Sequence, residues 1–346
     1  LQRRSFLGML GLMSLSVAAP ADSSGAGLVA AWRRWKTRFL EPEGRVVDPE
    51  QAGISHSEGQ GYALLLAQGA GDRDAFERIE AWTRAHLLIR EDALMAWRWT
   101  PGGGVMGEDW HNATDGDLFR AWALLRARRD SGWPVEQDIH SAITADISGS
   151  CLWPDPRAGA ELLLRPSAEA LATEERVLLN PSYIMPRALR ELGTDTGDTR
   201  LVRAADHGET CLAELAATGL LPDWIDVTAR GYESPTGHDL RSAYDALRIP
   251  LYLVWSGRDA HAAVRLAASQ LAPDEPSGAV TVARGEAGEP TATSDLPGYR
   301  AVARLAACSP VEPPGAPSLD GPYYPAALHM LAALAARENS ACAPPK

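Results

Sequence analysis

The chain is short of cysteine, of phenylalanine and of positive charge, and each shortage narrows what it can be. Four cysteines occur in 346 residues, Cys151, Cys211, Cys308 and Cys342, with no CxxC pair among them. That spacing excludes the common zinc and thioredoxin motifs, and leaves disulfides and free buried thiols equally open. Basic residues number 33 against 45 acidic ones, for a net charge of −12. Nucleic acid and anionic membranes reward basic patches, so neither is expected as a partner. No HExxH pair, Walker loop, GxGxxG after a strand, GxSxG elbow or DDxxD motif is found. No metal and no organic cofactor are therefore expected. Phenylalanine is outnumbered, 4 against 11 Trp and 8 Tyr. Rings with a polar handle suit stacking on a ligand as well as core packing.

What is present begins at the N-terminus. A twin arginine, Arg3-Arg4, precedes an apolar run from Phe6 to Ala19, followed by Ala18-Ala19-Pro20-Ala21. The run is too short to span a bilayer comfortably. It reads as a twin-arginine export signal over residues 1–21, cleaved near Ala21. The expected destination is the periplasm or the medium, with no stable membrane insertion after cleavage. Residues 22–346 read as one catalytic domain, since no linker divides them.

Apolar spacing of 3.6 residues predicts eleven helices, near 27–40, 58–69, 73–88, 115–129, 134–148, 181–193, 198–218, 239–255, 259–272, 297–308 and 322–337. Short hairpins are predicted in the loops at 94–106 and 222–232, and a long surface loop at 274–296. Polar or aromatic clusters open alternate helices: His56-Ser57-Glu58-Gly59, Thr114-Asp115-Gly116-Asp117, Asn180-Pro181-Ser182-Tyr183 and Ser242-Ala243-Tyr244-Asp245. A period of roughly 60 residues with two helices per unit implies a ring of helical hairpins. The expected fold is an all-α toroid, an (α/α)6 barrel with short β-hairpins in its loops, though eleven helices are one too few. In such a ring the N-terminal ends of the inner helices meet at one mouth, and chemistry remote in sequence converges there.

Three acids stand out. Glu58 could be an ordinary first-turn carboxylate, favoured by the helix dipole. That does not explain Gly59 and Gly61, which cost helix stability and imply close approach of backbone or ligand. Thr114 is placed to cap a helix and Asp117 to complete a capping box, so Asp115 is the better functional candidate. Asp245 lies in an apolar segment with Arg248 three residues on. A structural bridge and a general base kept ionised by Arg248 fit those residues equally well.

Around these residues the chain resembles glycoside hydrolase family 8, and within it the periplasmic cellulases associated with bacterial cellulose synthesis. The resembling stretches are Trp35 to Phe39 with Gly44 to Asp48, then Ile54 to Ala67, Ala96 to Trp99, Asn112 to Leu125, Asn180 to Tyr183 and Tyr244 to Arg248, with Tyr323 to Leu328 beyond. The resemblance implies an (α/α)6 barrel and an inverting endo-β-1,4-glucanase. Glu58 would be its general acid, Asp245 its general base and Asp115 the residue that positions the sugar. Trp99, Trp110, Tyr183, Tyr244 and Arg248 are the expected substrate contacts. An inverting pair stands about 6.5–9.5 Å apart and needs a protonated acid, so Glu58 is expected to be raised by burial or by its neighbour Asp115. The expected partner is a β-1,4-glucan, together with a cellulose synthase complex. Two alternatives remain: a xylanase, chitosanase or mixed-linkage glucanase on the same scaffold, and a non-catalytic glucan-binding component of a cellulose secretion complex.

Overall fold

The computed structural model describes residues 23–339. The predicted export segment and Cys342 lie outside the described residues. Twelve helices occur among them: α1 Ser23–Phe39, α2 Ser57–Ala70, α3 Arg73–His86, α4 Thr114–Arg129, α5 Gln137–Asp146, α6 Pro186–Thr196, α7 Thr199–Thr218, α8 Arg248–Trp255, α9 Ala262–Gln270, α10 Pro297–Ala306, α11 Ala316–Leu319 and α12 Tyr323–Glu338. The even-numbered helices form an inner ring. Each touches the next, and α12 returns to α2. The odd-numbered helices pack outside them, giving the (α/α)6 barrel.

Side-chain pattern assigns each helix to its layer. In α2 every residue from Gly59 to Gln68 is buried, and α4 is buried from Thr114 to Ala127. A helix apolar on all sides must be enclosed on all sides. The two arginines inside α4 are matched by acids: Arg120 by Glu80 at 2.7 Å and Arg126 by Glu338 at 2.5 Å. The outer α3 instead buries one stripe, Phe76, Ile79 and Thr83, at helical spacing. Asp72 caps its start by accepting the Ala75 N–H.

The missing twelfth helix is α11. It has four residues and lies inside the stretch 309–322, too short to show a period. Helix α8 starts at Arg248, not at 239 as the spacing suggests. Pro250 explains part of this, since proline is tolerated in a first turn but not in a helix interior. Ser242 also exchanges two backbone hydrogen bonds with Arg284, which ties that residue to a neighbouring hairpin. Helix α6 similarly starts at Pro186, after a separate 3-10 turn Pro181–Tyr183.

Nine short strands, all antiparallel, decorate the barrel among the described residues. β1 Ser55–His56 pairs with β2 Arg98–Trp99, and the 94–106 loop closes on itself through an antiparallel bridge between Thr100 and Gly104, a minimal form of the hairpin expected there. β3 Leu152–Asp155 and β4 Ala158–Leu164 form an unforeseen hairpin. β5 Arg176–Leu179, β6 Ile225–Thr228 and β7 Gly231–Glu233 make a three-stranded sheet, which contains the hairpin expected near 222–232. β8 Val280–Arg284 and β9 Pro290–Ser294 pair within the stretch read as a loop. Cys151 and Cys211 are free and buried, and Cys308 is disulfide-bonded.

Candidate active site

The inner helices begin at one mouth of the ring, and a cleft of about 480 Å³ opens there. Its floor is set by how closely α2 and α4 cross. A Cβ on Gly116 would stand 2.4 Å from Ser57 Oγ and 2.8 Å from the Glu58 nitrogen, and one on Gly61 would stand 2.9 Å from Phe119 Cβ. Only glycine permits that contact, which brings Glu58 and Asp115, each in a first turn, side by side. Gly59 makes room for the Tyr323 hydroxyl, 2.7 Å from where its Cβ would be. The glycines around Glu58 thus serve the approach of protein groups.

Arg248, the first residue of α8, completes the site. Its side chain is 4 % exposed, and its guanidinium reaches all three acids. Nη1 pairs with Glu58 and lies 3.6 Å from Asp115, while Nη2 pairs with Asp245 at 2.7 Å. Burial opposes its charge, but Glu58 and Asp245 hold it, and its pKa stands above the ordinary arginine value. Asp245 lies in the turn before α8 with its side chain 31 % exposed, accepting from Asn180 Nδ2 at 3.0 Å as well as from Arg248. Ser182 Oγ accepts from Arg248 at 2.7 Å. Neither Asn180 nor Ser182 was expected as a site residue, although their cluster marks the third helix entrance in the sequence period.

The deeper burial falls on Asp115, 2 % exposed against 18 % for Glu58. Burial first, then the charge of Glu58, drives the Asp115 carboxyl well above the usual carboxylate range, against the pull of Arg248. Glu58 is the charged neighbour that the close crossing of α2 and α4 sets beside Asp115. The capping assignments are corrected. Thr114 Oγ1 donates to the Arg165 carbonyl at 2.8 Å and caps nothing. Asp117 is wholly buried and accepts the Met95 N–H at 2.7 Å and Asn112 Nδ2 at 2.9 Å. Burial pushes its carboxyl up to about 7.

Of the expected substrate contacts, Tyr183, Tyr244 and Arg248 line the cleft, and Trp99 and Trp110 do not. Trp99 packs edge-on against Trp82 in a small separate core, under the Arg45 guanidinium. Trp110 lies outside the cleft lining, 43 % exposed beside Arg90. Trp97 lines the cleft in their place. Tyr299, Tyr323 and Tyr324 line it too, from the starts of α10 and α12. Tyr244, Tyr299 and Tyr324 form a wall of rings 6.2–6.4 Å apart beside Asp245. Their signal in the sequence is aromatic residues opening inner helices, which the acids overshadow.

Three carboxyls gathered on one guanidinium in a ring-lined cleft, at the mouth of an (α/α)6 barrel, fit the class of carboxylate-based glycoside hydrolases. The chain belongs to glycosyl hydrolases family 8, whose model matches residues 4–304. Among relatives, an endoglucanase of Cellulomonas uda is 35 % identical over 68 % of this chain, and the match spans 65 % of that protein. A probable endoglucanase of Novacetimonas hansenii is 35 % identical over 70 % of this chain and 71 % of its own. Among solved structures, a family 8 endo-β-1,4-glucanase from an Achatina fulica gut metagenomic library superposes with a TM-score of 0.81 at 31 % identity, covering 89 % of this chain and 97 % of that one. The endo-β-1,4-glucanase CMCax from Acetobacter xylinum gives 0.78 at 30 % identity, over 91 % and 99 %.

Proposed function

We propose that the chain is an inverting endo-β-1,4-glucanase acting on cellulose-like glucan. Glu58 is the general acid, Asp245 the general base and Asp115 the residue that positions the sugar. The observation that carries this reading is the Arg248 guanidinium, which touches all three carboxyls beneath one cleft. Relatives bearing the name endoglucanase support the substrate class.

The chemistry follows from the two environments. Two carboxyls set side by side hold one proton between them more readily than they ionise together. Asp115, buried and driven up, keeps that proton beside Glu58. Glu58 passes it to the leaving glycosidic oxygen as the bond breaks. Asp245 is held by Arg248 and Asn180 and takes a proton from the attacking water. The Asp115–Glu58 pair is left ionised next to Arg248, and Asp115 accepts a hydrogen bond from a ring hydroxyl. The tyrosine wall offers faces on which flat sugar rings stack.

The test is hydrolysis of carboxymethyl-cellulose. The wild type cleaves it, and Glu58→Gln and Asp245→Asn do not, with circular dichroism unchanged. Retained activity in both variants defeats the assignment. An NMR time course gives the α-anomer first; β-anomer first contradicts inversion.

The same reading places the enzyme in the periplasm or medium, exported by its twin-arginine segment and trimming glucan beside a cellulose synthase complex. The support is the Arg3-Arg4 pattern and its apolar run. Export of a reporter fused to residues 1–30 that stops when both arginines become lysine is the expected result.

A further inference from the structure

Asp223 stands in the bend that leads into β6, 4 % exposed. Its Oδ1 accepts two backbone N–H groups, from Ala243 at 2.7 Å and from Ala246 at 3.0 Å. Those two residues bracket Tyr244 and Asp245. Its own N–H donates to the Arg241 carbonyl at 2.8 Å, and Arg241 Nε lies 3.7 Å from Oδ2. One aspartate therefore grips the segment 241–246 at three backbone points. Ser242 also exchanges two backbone hydrogen bonds with Arg284, and the Tyr244 carbonyl accepts from the Tyr324 hydroxyl at 2.6 Å, but it is Asp223 that takes the N–H groups on both sides of Tyr244 and Asp245. The turn is not helical, and its bonds onward run from the Arg248 N–H to the Asp245 carbonyl and from the Ile249 N–H to the Ala246 carbonyl. The Asp223 carboxyl is pushed up to about 6 by burial and then by the charge of Asp245, so the two acids feel one another.

The geometry points to Asp223 as a positioning residue for the general base: its carboxylate oxygen fixes the turn that aims Asp245 at the attacking water. This rests on the reading of Asp245 above. Asp223 touches neither sugar nor water, because the cleft is lined by Tyr244 and Asp245 on that side and not by Asp223. Its effect passes through the backbone. A base and its water must be aligned closely, and a misplacement of about 1 Å costs on the order of 10²-fold in rate.

Three substitutions separate an acceptor in the right place from a charge and from bulk. Asp223→Asn keeps an oxygen where Oδ1 stands and removes the charge. Asp223→Glu keeps the charge and moves the acceptor by one methylene. Asp223→Ala removes both. With carboxymethyl-cellulose, Asp223→Asn is expected within about threefold of wild-type kcat, and Asp223→Glu and Asp223→Ala about 10²-fold below it, with KM changed less than about twofold in all three. Melting temperatures accompany each. If Asp223→Ala fails to fold, the Asn and Glu pair decides alone. Asp223→Asn falling as far as Asp223→Glu overturns the inference, as does unchanged kcat in Asp223→Glu or a loss confined to KM. A wild type without turnover sinks the glucanase reading itself, whereas wild-type turnover with equal activity in the variants sinks only the role of Asp223.

Discussion

Among the arginines that meet more than one acid, the contrast between Arg248 and Arg157 separates a site from a staple. Arg248 meets Glu58, Asp115 and Asp245, with the Tyr183 ring 5.6 Å away. Arg157, on the turn between β3 and β4, meets Asp155 and Glu214 at 2.7 Å each, with the Tyr232 ring at 4.5 Å. Asp155 also binds His207 at 2.7 Å, and the Cys211 sulfur lies 3.3 Å from Arg157. The ligand atoms of Asp155, His207 and Cys211 lie within 4.8 Å of one another, a donor set that suits a metal. A guanidinium already stands against two of the three. Perturbed charges mark both clusters, yet Asp155 and Cys211 are sealed at 1 % and 0 % exposure while Asp245 looks onto a cleft. Perturbation alone does not identify an active site. Access for a ligand does, and the Arg157 cluster pins its hairpin to α7 instead.

The contrast is sharpest in acid-to-amide changes at the cleft. Glu58→Gln and Asp245→Asn should each cut kcat on carboxymethyl-cellulose by about 10³-fold or more while the melting temperature holds. Equal losses of stability and activity would erase the distinction. At the other cluster, Arg157→Met should leave kcat within about twofold and cost about 1–3 kcal/mol of stability, because it leaves the buried Asp155 with His207 as its remaining cationic partner. Chemical denaturation reads that loss, and an inactive but stable Arg157→Met breaks the comparison. Gly116→Ala joins the two effects. Its added methyl forces α2 and α4 apart, so about 1–3 kcal/mol of stability and roughly tenfold in kcat should go together.

The smallest effect is on pH dependence. Hydrogen bonding of its ring to the Asp155 carboxylate first, then to Cys211, raises His207 to about 10. Stability from that pairing is complete below the ordinary histidine value of about 6.5 and fades as pH rises through about 10. Asp155 is depressed below the usual carboxylate range, mainly by His207 and Arg157 against the cost of burial, so its share fades as pH falls. The melting temperature should therefore decline on the alkaline side, and His207→Gln should flatten that decline. An unchanged slope in the variant removes His207 from the cluster's energetics.

Much of this was legible in sequence, and the misreadings share physical causes. Long helices declare themselves through period, and the clusters opening alternate helices pointed to the mouth of the ring. Helix α11 is too short to have a period, and β8–β9 lie in a stretch whose Pro and Gly content reads as turn. The extension of α8 to 239 overlooked Pro250, which was visible. The roles of Asp117 and Thr114 were misread because a capping box and a buried tether share one pattern. Deciding between them takes Met95 and Arg165, partners from other parts of the chain. Trp99 and Trp110 were favoured for their loop setting, but a loop does not say which way a ring faces. The tyrosines at the starts of α10 and α12 share the cleft only because the ring closes.

That closure has one more consequence. With α12 seated on α2, the inner wall is continuous and offers no hinge between lobes. Tightening around a sugar by jaw-like motion is thereby denied to the scaffold, and shape complementarity must already be built into the walls. Small-angle scattering with and without a bound oligosaccharide should give superimposable envelopes.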